Sequence, residues 1–267
     1  MSLESYQELN TNNYSSNSGS EDLSSSKAIG KVFLYMGVAL LVTALVAVGV
    51  GALFAGWLTN WTFDYSVFRN IGTAFEASRT PWIVYFASVI VSFIGMLICT
   101  VALGRAAATG RHSAWPAFIV YSIFMGITLS IILIAGIDFV TIGEAFGISA
   151  GAFAIMGFIG YKSKRNLNIL GLVAWTALIM VMISGLIFGL IFAFNRAAFN
   201  VFNIVYTAIV LVIFLILTAV DMYNVKRIVE KGADSKNLCL FCAFTLYTDF
   251  INIFIRVLLL LAKLKSR

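Results

Sequence analysis

Two aspartates, Asp221 and Asp249, stand inside long apolar stretches on either side of a short polar turn near Gly232 to Asn237. Asp221 lies 11 residues before Gly232, and Asp249 lies 12 residues after Asn237. At the rise of an α-helix, both would lie about 16–18 Å from the turn, so antiparallel helices would bring the two carboxyl groups level. Two carboxyl groups at close range do not ionise together easily. Because an ionisable group inside a membrane helix is expensive, the pair predicts a proton-sensing site.

Other readings of this pair stay open. Both acids would have a purely structural role if they reached the membrane surface or paired with Lys226 and Arg227. An intramembrane aspartyl protease also uses two membrane aspartates, but its Tyr-Asp and Gly-x-Gly-Asp contexts are absent around Asp221 and Asp249. The sequence contains no nucleophile–base pair, metal cluster or phosphate-binding loop. We therefore predict that the protein is not an enzyme, and we expect neither a cofactor nor a bound metal.

Composition sets the class of protein that must position these acids. Of 267 residues, 61% are hydrophobic and only 11% are charged, whereas a soluble domain has about 25% charged residues. The apolar runs are long and lack strand-like alternation, which predicts an all-α integral membrane protein. The net charge of +6 resides largely in loops between these runs. Basic loops are typical of membrane topology, so we expect no nucleic-acid partner.

The pattern predicts seven membrane spans in a single domain of residues 29–267. Residues 1–28 are polar and rich in Ser and Asn, which predicts a disordered cytoplasmic tail. Glycine pairs four residues apart, at Gly147 and Gly151 and at Gly185 and Gly189, predict close helix approach. The expected spans are residues 32–57, 82–103, 115–135, 142–161, 169–194, 201–225 and 238–261.

The distribution of basic residues predicts the orientation of the chain. Segments on the amino-terminal side of the membrane carry 11 Lys and Arg residues, and those on the other side carry 6. The excess predicts a cytoplasmic amino terminus. With seven spans, the basic carboxyl end at Lys263, Lys265 and Arg267 then faces away from the cytoplasm, which runs against the same rule.

Several stretches, in chain order, resemble the Bax inhibitor family, the transmembrane Bax-inhibitor-motif proteins. The segment Leu246-Tyr247-Thr248-Asp249-Phe250-Ile251-Asn252-Ile253-Phe254 is similar to that family's last-helix signature. Asp221 with Met222-Tyr223-Asn224 resembles its helix-six aspartate. The third and fourth spans and the following loop are similar at Gly126-Ile127-Thr128-Leu129-Ser130, Glu144-Ala145-Phe146 and Lys162-Ser163-Lys164-Arg165-Asn166-Leu167. The resemblance extends from about Lys31 to the end of the chain.

The resemblance implies a seven-helix bundle with the last helix at its centre. It is closest to bacterial members that are pH-sensitive calcium leak channels gated by the aspartate pair. It further implies that Arg105, at the inner end of helix two, latches Asp221. Arg256, seven residues beyond Asp249, departs from the family pattern. Residues along an ion path would include Thr128, Ser130, Asn252 and Glu144.

Three functions remain for comparison. The first is a pH-sensitive leak channel for Ca²⁺ or other cations, with Asp221 and Asp249 as gate and Arg105 as latch. The second is a proton-coupled ion antiporter that uses the same pair. The third is a non-conducting membrane regulator of a protease or of a cell-death or stress pathway. The resemblance places such a protein in the inner or plasma membrane of a bacterium, or in the endoplasmic reticulum or Golgi of a eukaryote.

Overall fold

The computed structural model describes residues 3–58, 79–110, 113–134, 137–192, 196–230 and 236–265. In these ranges the chain forms seven α-helices and no strand. The turn near Gly232 and the end of the chain beyond Lys265 lie outside the described residues. The helices are α1 Leu3–Leu58, α2 Arg79–Thr109, α3 Trp115–Ile134, α4 Phe139–Lys162, α5 Asn168–Phe192, α6 Arg196–Glu230 and α7 Lys236–Lys265.

All seven helices contain a segment long and apolar enough to cross a membrane. A span needs about 20 apolar residues, and the candidate segments run from 18 to 30 residues. The predicted seven-helix membrane fold is therefore confirmed.

The first helix departs from the prediction at its amino-terminal end. Helix α1 begins at Leu3, so its backbone runs through the polar segment for which composition predicts disorder. That segment contains no proline, so nothing in it forces an end to the helix. The part of α1 suited to the membrane begins only at Lys27, close to the expected domain boundary at residue 29.

Helix α4 begins three residues earlier than expected because Asp138 caps it. The Asp138 carboxylate accepts hydrogen bonds from the Thr141 backbone N–H at 3.1 Å and from the Thr141 hydroxyl at 2.6 Å. This is the usual N-cap arrangement, in which a side-chain oxygen satisfies a backbone donor of the first turn. A polar residue in the weakest part of the hydropathy pattern therefore marks the start of a helix.

Close helix approach occurs at Gly160, which was not predicted, and at Gly185, which was: a Cβ atom there would lie 2.6 Å from the Tyr206 ring of α6. The surroundings of Gly189, the other member of that predicted pair, lie outside what the structure describes. A Cβ atom on Gly160 of α4 would collide with the backbone carbonyl group of Ala219 on α6, so these two helices touch backbone to backbone. Around Gly147 and Gly151, by contrast, no atom of a neighbouring helix lies within 4 Å of a Cβ position, so that prediction was wrong. Both glycines lie on the exposed face of α4, and spacing alone does not reveal which face a pair occupies.

Helix α7 occupies the centre of the bundle, as expected. It packs against α1, α2, α3, α4 and α6, and 67% of its most apolar stretch is buried, against 39% for α6. Its Tyr247 is fully buried and shares a 2.6 Å hydrogen bond with Thr43 of α1. Neighbouring helices therefore cover most faces of α7.

Helix α5 lies at the periphery. Its main packing partner is α6, and 17% of its most apolar stretch is buried, the lowest share among the seven segments. Small and aliphatic residues make this contact, with Ala174 and Leu178 of α5 against Val210, Ile213 and Leu217 of α6. The remaining faces of α5 are left for lipid.

Candidate functional site

The structure brings Asp221 and Asp249 together. Helices α6 and α7 are consecutive and adjacent, and the carboxyl groups of the two aspartates are close enough to interact directly. Asp249 is 5% exposed, and Asp221 is half-buried. The equal spacing from the turn places the two carboxyl groups at one level, and the structure places them on facing sides of the two helices.

The contact between the two carboxyl groups has a chemical requirement. A carboxylate is only an acceptor, so a hydrogen bond between two of them exists only when at least one holds a proton. The Asp249 Oδ2 atom is buried and has no hydrogen-bond partner among the described residues. Nearby hydroxyl groups do not supply one, because Thr248 donates to its own helix at Phe244 and Thr218 donates to Phe214.

Asp221 faces a cavity of about 650 Å³ between α5, α6 and α7. Polar groups from all three helices line it, including Asn168, Asn224, Arg227 and Thr245. Asn168 begins α5 and Arg227 lies in the last turn of α6, so the cavity is on the same side of the bundle as the α6–α7 turn. The pair therefore has Asp249 in the protein interior and Asp221 at the edge of a polar chamber.

The alternative in which the two aspartates pair with Lys226 and Arg227 is not seen as a contact among the described residues. In the described part of the chain, neither aspartate forms an ion pair within 4.0 Å with Lys226 or Arg227. Lys226 instead lies 3.6 Å from Glu230 and donates a 3.0 Å hydrogen bond to the Tyr161 carbonyl. Arg227 lies over the Tyr223 ring, 5.6 Å from its centroid.

The structure does not bring Arg105 to Asp221. Leu103 and Ala106 form the buried face of α2, whereas Arg105 is exposed and lines a separate cavity beside Ile98 and Val101. Arg105 lies at the expected end of α2 but on its exposed face, away from the packed side. Successive residues are rotated by about 100° along a helix, so the position along the helix does not give the face. No ion pair within 4.0 Å joins Arg105 to Asp221 among the described residues.

The four expected pathway residues do not form one path. Asn252, on α7 three residues beyond Asp249, donates to the Thr248 carbonyl at 2.9 Å. Ser130 is fully buried on α3 and shares a 3.2 Å hydrogen bond with Tyr85, while Thr128 donates to its own helix.

Glu144 lies far from the aspartate pair. It forms a 2.7 Å ion pair with Lys265, which is 16 residues beyond Asp249 on the same helix, or about 24 Å away at the rise of an α-helix. Of the four, Asn252 is the one on the same helix as Asp249, three residues further along α7.

Asn237 is a structural residue that the sequence did not reveal. Its side-chain oxygen accepts from the Ala114 N–H at 3.1 Å, and its Nδ2 donates to the Ala106 carbonyl at 3.3 Å. The start of α7 is thereby joined to the end of α2 and to the residue just before α3. In the sequence, an asparagine at the second position of an otherwise apolar helix was the feature that could have indicated this role.

Comparison with known proteins identifies the class. The family profile described as "Inhibitor of apoptosis-promoting Bax1" matches residues 25–266. The chain is 32% identical over 218 residues to an uncharacterized membrane protein of Streptococcus pyogenes serotype M6, covering 80% of this chain and 87% of that protein. It is 29% identical over 181 residues to the inner membrane protein YbhL of Escherichia coli K12, covering 66% and 73%. It is also 27% identical over 250 residues to an uncharacterized protein of Borreliella burgdorferi, covering 92% and 96%.

The fold and these matches define a multi-pass membrane protein built as a seven-helix bundle. The chain belongs to the Bax inhibitor family, since the family profile covers nearly all of it.

Proposed function

We propose that this protein is a pH-sensitive leak channel for Ca²⁺ and other cations, with the Asp221–Asp249 pair as its proton-responsive element. The observation that carries the proposal is the close approach of two carboxyl groups on adjacent membrane-spanning helices. Loss of the shared proton would replace this contact with repulsion between two negative charges. Membership of the Bax inhibitor family supports the same function.

The proposed gating scheme makes acid the opening signal. At alkaline pH, Asp221 is ionised and forms an ion pair that holds the inner half of the bundle closed. Arginine stays protonated throughout this range, so the carboxyl group is the switch. As the pH falls, protonation removes the negative charge, the ion pair weakens and the helices separate.

Arg227 is better placed than Arg105 to be the cationic partner of ionised Asp221. Both Asp221 and Arg227 line the same cavity, and among the described residues the Arg227 guanidinium has a cation–π contact with the Tyr223 ring and no ion pair. A side-chain rotation moves it within the cavity. Arg105 would need a rotation of the whole of α2, because Leu103 and Ala106 fix the buried face of that helix.

The cavity chemistry suits a passing cation. Hard cations such as Ca²⁺ prefer oxygen ligands, and the cavity is lined by Asp221, Asn224 and Thr245, whose side chains all carry oxygen. Within the described residues, no three His, Cys, Asp or Glu side chains gather to hold a metal ion. Conduction requires a site weak enough for the ion to leave, so two carboxyl groups without a complete cage agree with a leak.

The test is passive flux into liposomes that contain the purified protein and an enclosed Ca²⁺ indicator. With no pH gradient across the membrane, we expect influx to be faster at about pH 6 than at about pH 8, because acid favours the protonated form of the carboxyl pair. Asp221→Asn should remove this dependence. The matched control is Asp138→Asn, which makes the same change in the α4 cap, where asparagine serves equally well.

Two results would replace the channel with the alternatives. Ca²⁺ uptake that occurs only with an imposed pH gradient would indicate a proton-coupled antiporter. No flux at any pH, from protein that elutes as a folded species, would indicate a non-conducting regulator.

The bacterial relatives, one of them named an inner membrane protein, support residence in a bacterial cytoplasmic membrane.

A further inference from the structure

A second polar cavity lies at the other end of the bundle. It has a volume of about 490 Å³ and is bounded by α5, α6 and α7. Its charged residue is Arg256 of α7, and its other polar side chains are Asn203 and Tyr206 of α6. No acidic side chain is among its lining residues. The cavity therefore presents a cation and neutral polar groups to whatever occupies it.

Arg256 lacks a counter-ion in the part of the chain that the structure describes. It is in none of the ion pairs there, and its buried Nε atom has no hydrogen-bond partner among those residues. Its guanidinium lies 6.0 Å from the centroid of the Tyr206 ring. A cation–π contact stabilises a cation weakly compared with the expense of an unpaired charge at membrane depth. Arg256 is thus a cation whose partner must come from outside these helices.

The polar groups around Arg256 are oriented by the helices that carry them. The Thr207 hydroxyl donates to the Asn203 backbone carbonyl at 2.6 Å and lies 3.3 Å from the Asn203 side-chain oxygen, so Asn203 packs beside Thr207 on α6. Tyr206 lies against the backbone of Gly185, where a Cβ atom would come within 2.6 Å of the ring. Glycine at this position lets the ring approach α5 closely. Arg256, Asn203 and Tyr206 together supply several hydrogen-bond donors on one wall of the cavity.

The opposite wall is apolar and faces lipid. Met182 and Leu186 of α5 line the cavity, and they are 57% and 72% exposed. In a membrane, these exposed faces contact acyl chains. Arg256 is 9 residues from the end of α7 at Lys265, or about 13 Å along the helix axis. A long arginine side chain spans part of that distance and reaches towards the headgroup layer.

We propose that this cavity binds an anionic membrane phospholipid, with the phosphate on Arg256 and the upper acyl chain against Met182 and Leu186. A planar guanidinium forms paired hydrogen bonds with phosphate oxygens. Basic pockets between transmembrane helices are suited to anionic headgroups. The lipid is drawn from the leaflet at the carboxyl end of α7. This inference does not depend on ion conduction, so it can fail while the channel proposal stands, and the reverse also holds.

The test measures lipid retention by native mass spectrometry of the purified protein. Detergent micelles contain equal amounts of phosphatidylglycerol and phosphatidylcholine. We expect the wild-type protein to retain phosphatidylglycerol preferentially, and Arg256→Gln to reduce this preference about tenfold, as the loss of a charge-assisted contact predicts. Arg256→Lys should reduce the preference less, because lysine keeps the positive charge and lacks only the planar guanidinium that forms paired hydrogen bonds. The control is Arg165→Gln, an exposed arginine in the turn before α5, which should leave retention unchanged.

A second variant keeps the proposal testable if Arg256→Gln does not fold. Leu186→Trp fills the mouth of the cavity from its exposed, lipid-facing side and leaves the charge intact, so it should also reduce phosphatidylglycerol retention. Equal retention of both lipids by the wild-type protein, or unchanged retention in both variants, would overturn the proposal. Displacement of the lipid by excess inorganic phosphate would identify the ligand as a free anion and would also overturn it. Faster Ca²⁺ flux in Arg256→Gln with unchanged lipid retention would make Arg256 a charge barrier instead.

Discussion

The Lys265 Nζ atom lies 2.7 Å from the Glu144 Oε2 atom and joins the end of α7 to the first turns of α4. Lys265 also donates to the Thr141 hydroxyl at 3.0 Å, and Thr141 donates to Asp138. The central helix is therefore fastened to α4 at the end of the bundle opposite to the α6–α7 turn. Glu144, expected along an ion path, instead belongs to this network.

Reversing the charge of one partner of this ion pair should destabilise the bundle slightly. Exchanging the two charges in a double variant should restore the stability. The two side chains are 44% and 46% exposed, so the pair contributes about 0.2–1 kcal/mol to the free energy of unfolding. We expect Lys265→Glu to lower the midpoint of thermal unfolding in detergent and the double variant with Glu144→Lys to restore it. High salt should reduce the difference. A double variant no more stable than additivity predicts would contradict the pairing.

The Asp138 cap should make the start of α4 sensitive to acid. The Thr141 hydroxyl and the Thr141 N–H stabilise the carboxylate and hold the pKa of Asp138 below its ordinary value. Its contribution to stability is therefore present above the ordinary pKa and is lost as the pH falls through the lowered pKa of the folded state. Asp138→Asn keeps the cap but does not titrate. Circular dichroism below about pH 4 should show a smaller acid-induced loss in the variant than in the wild-type protein. Equal losses would show that other carboxyl groups dominate.

The two members of the aspartate pair should respond differently to the same substitution. Asp221→Asn resembles the protonated form, so Ca²⁺ influx at about pH 8 should rise to its level at about pH 6. Asp249→Asn removes the neighbouring negative charge, so ionisation of Asp221 becomes easier. The midpoint of the flux profile should then move down by about one pH unit. Identical profiles for the two variants would indicate that the aspartates are equivalent and that neither is the switch.

Substitution of the two candidate arginines should identify the partner of ionised Asp221. Because Arg227 lines the Asp221 cavity, we expect Arg227→Gln to raise Ca²⁺ influx at about pH 8, where the carboxyl group is charged in the proposed scheme. Arg105→Gln is the matched variant on the other cavity and should leave influx near the wild-type level. A leak at alkaline pH in Arg105→Gln alone would favour Arg105 as the partner of Asp221, as the family resemblance implies. That pairing would require rotation of α2.

Labelling of a cysteine at residue 163 should report the orientation of the chain. Ser163 lies in the turn after α4, on the predicted cytoplasmic side. The native cysteines Cys99, Cys239 and Cys242 are buried, so they should contribute little background. In intact bacterial cells, Ser163→Cys should resist a membrane-impermeant maleimide and react after permeabilisation. Reaction in intact cells would reverse the assigned orientation.

Depth in the membrane was predictable from the sequence because it follows from counting. A helix rises by a constant amount per residue, so the distances of Asp221 and Asp249 from the turn predicted their common level before any contact was known. Hydropathy predicted seven spans for the same reason, since hydrocarbon requires a minimum apolar length.

The direction in which a side chain points was less predictable. Arg105 and the Gly147–Gly151 pair lie on exposed faces, and nothing in an all-apolar helix distinguishes the face that contacts protein from the face that contacts lipid. In a soluble helix, polar residues would mark the outer face. The pairing of Glu144 with Lys265 was missed because it links two helices that are distant in sequence.

The peripheral position of α5 has a consequence for the whole bundle. This helix packs mainly on α6, yet it forms a wall of both polar cavities, through Asn168 and Trp175 beside Asp221 and through Met182 and Leu186 beside Arg256. A tilt of α5 on α6 disturbs fewer packed side chains than the movement of any more enclosed helix. Such a tilt would change the width of both cavities at once, because the Asp221 cavity and the Arg256 cavity share α5 as a wall.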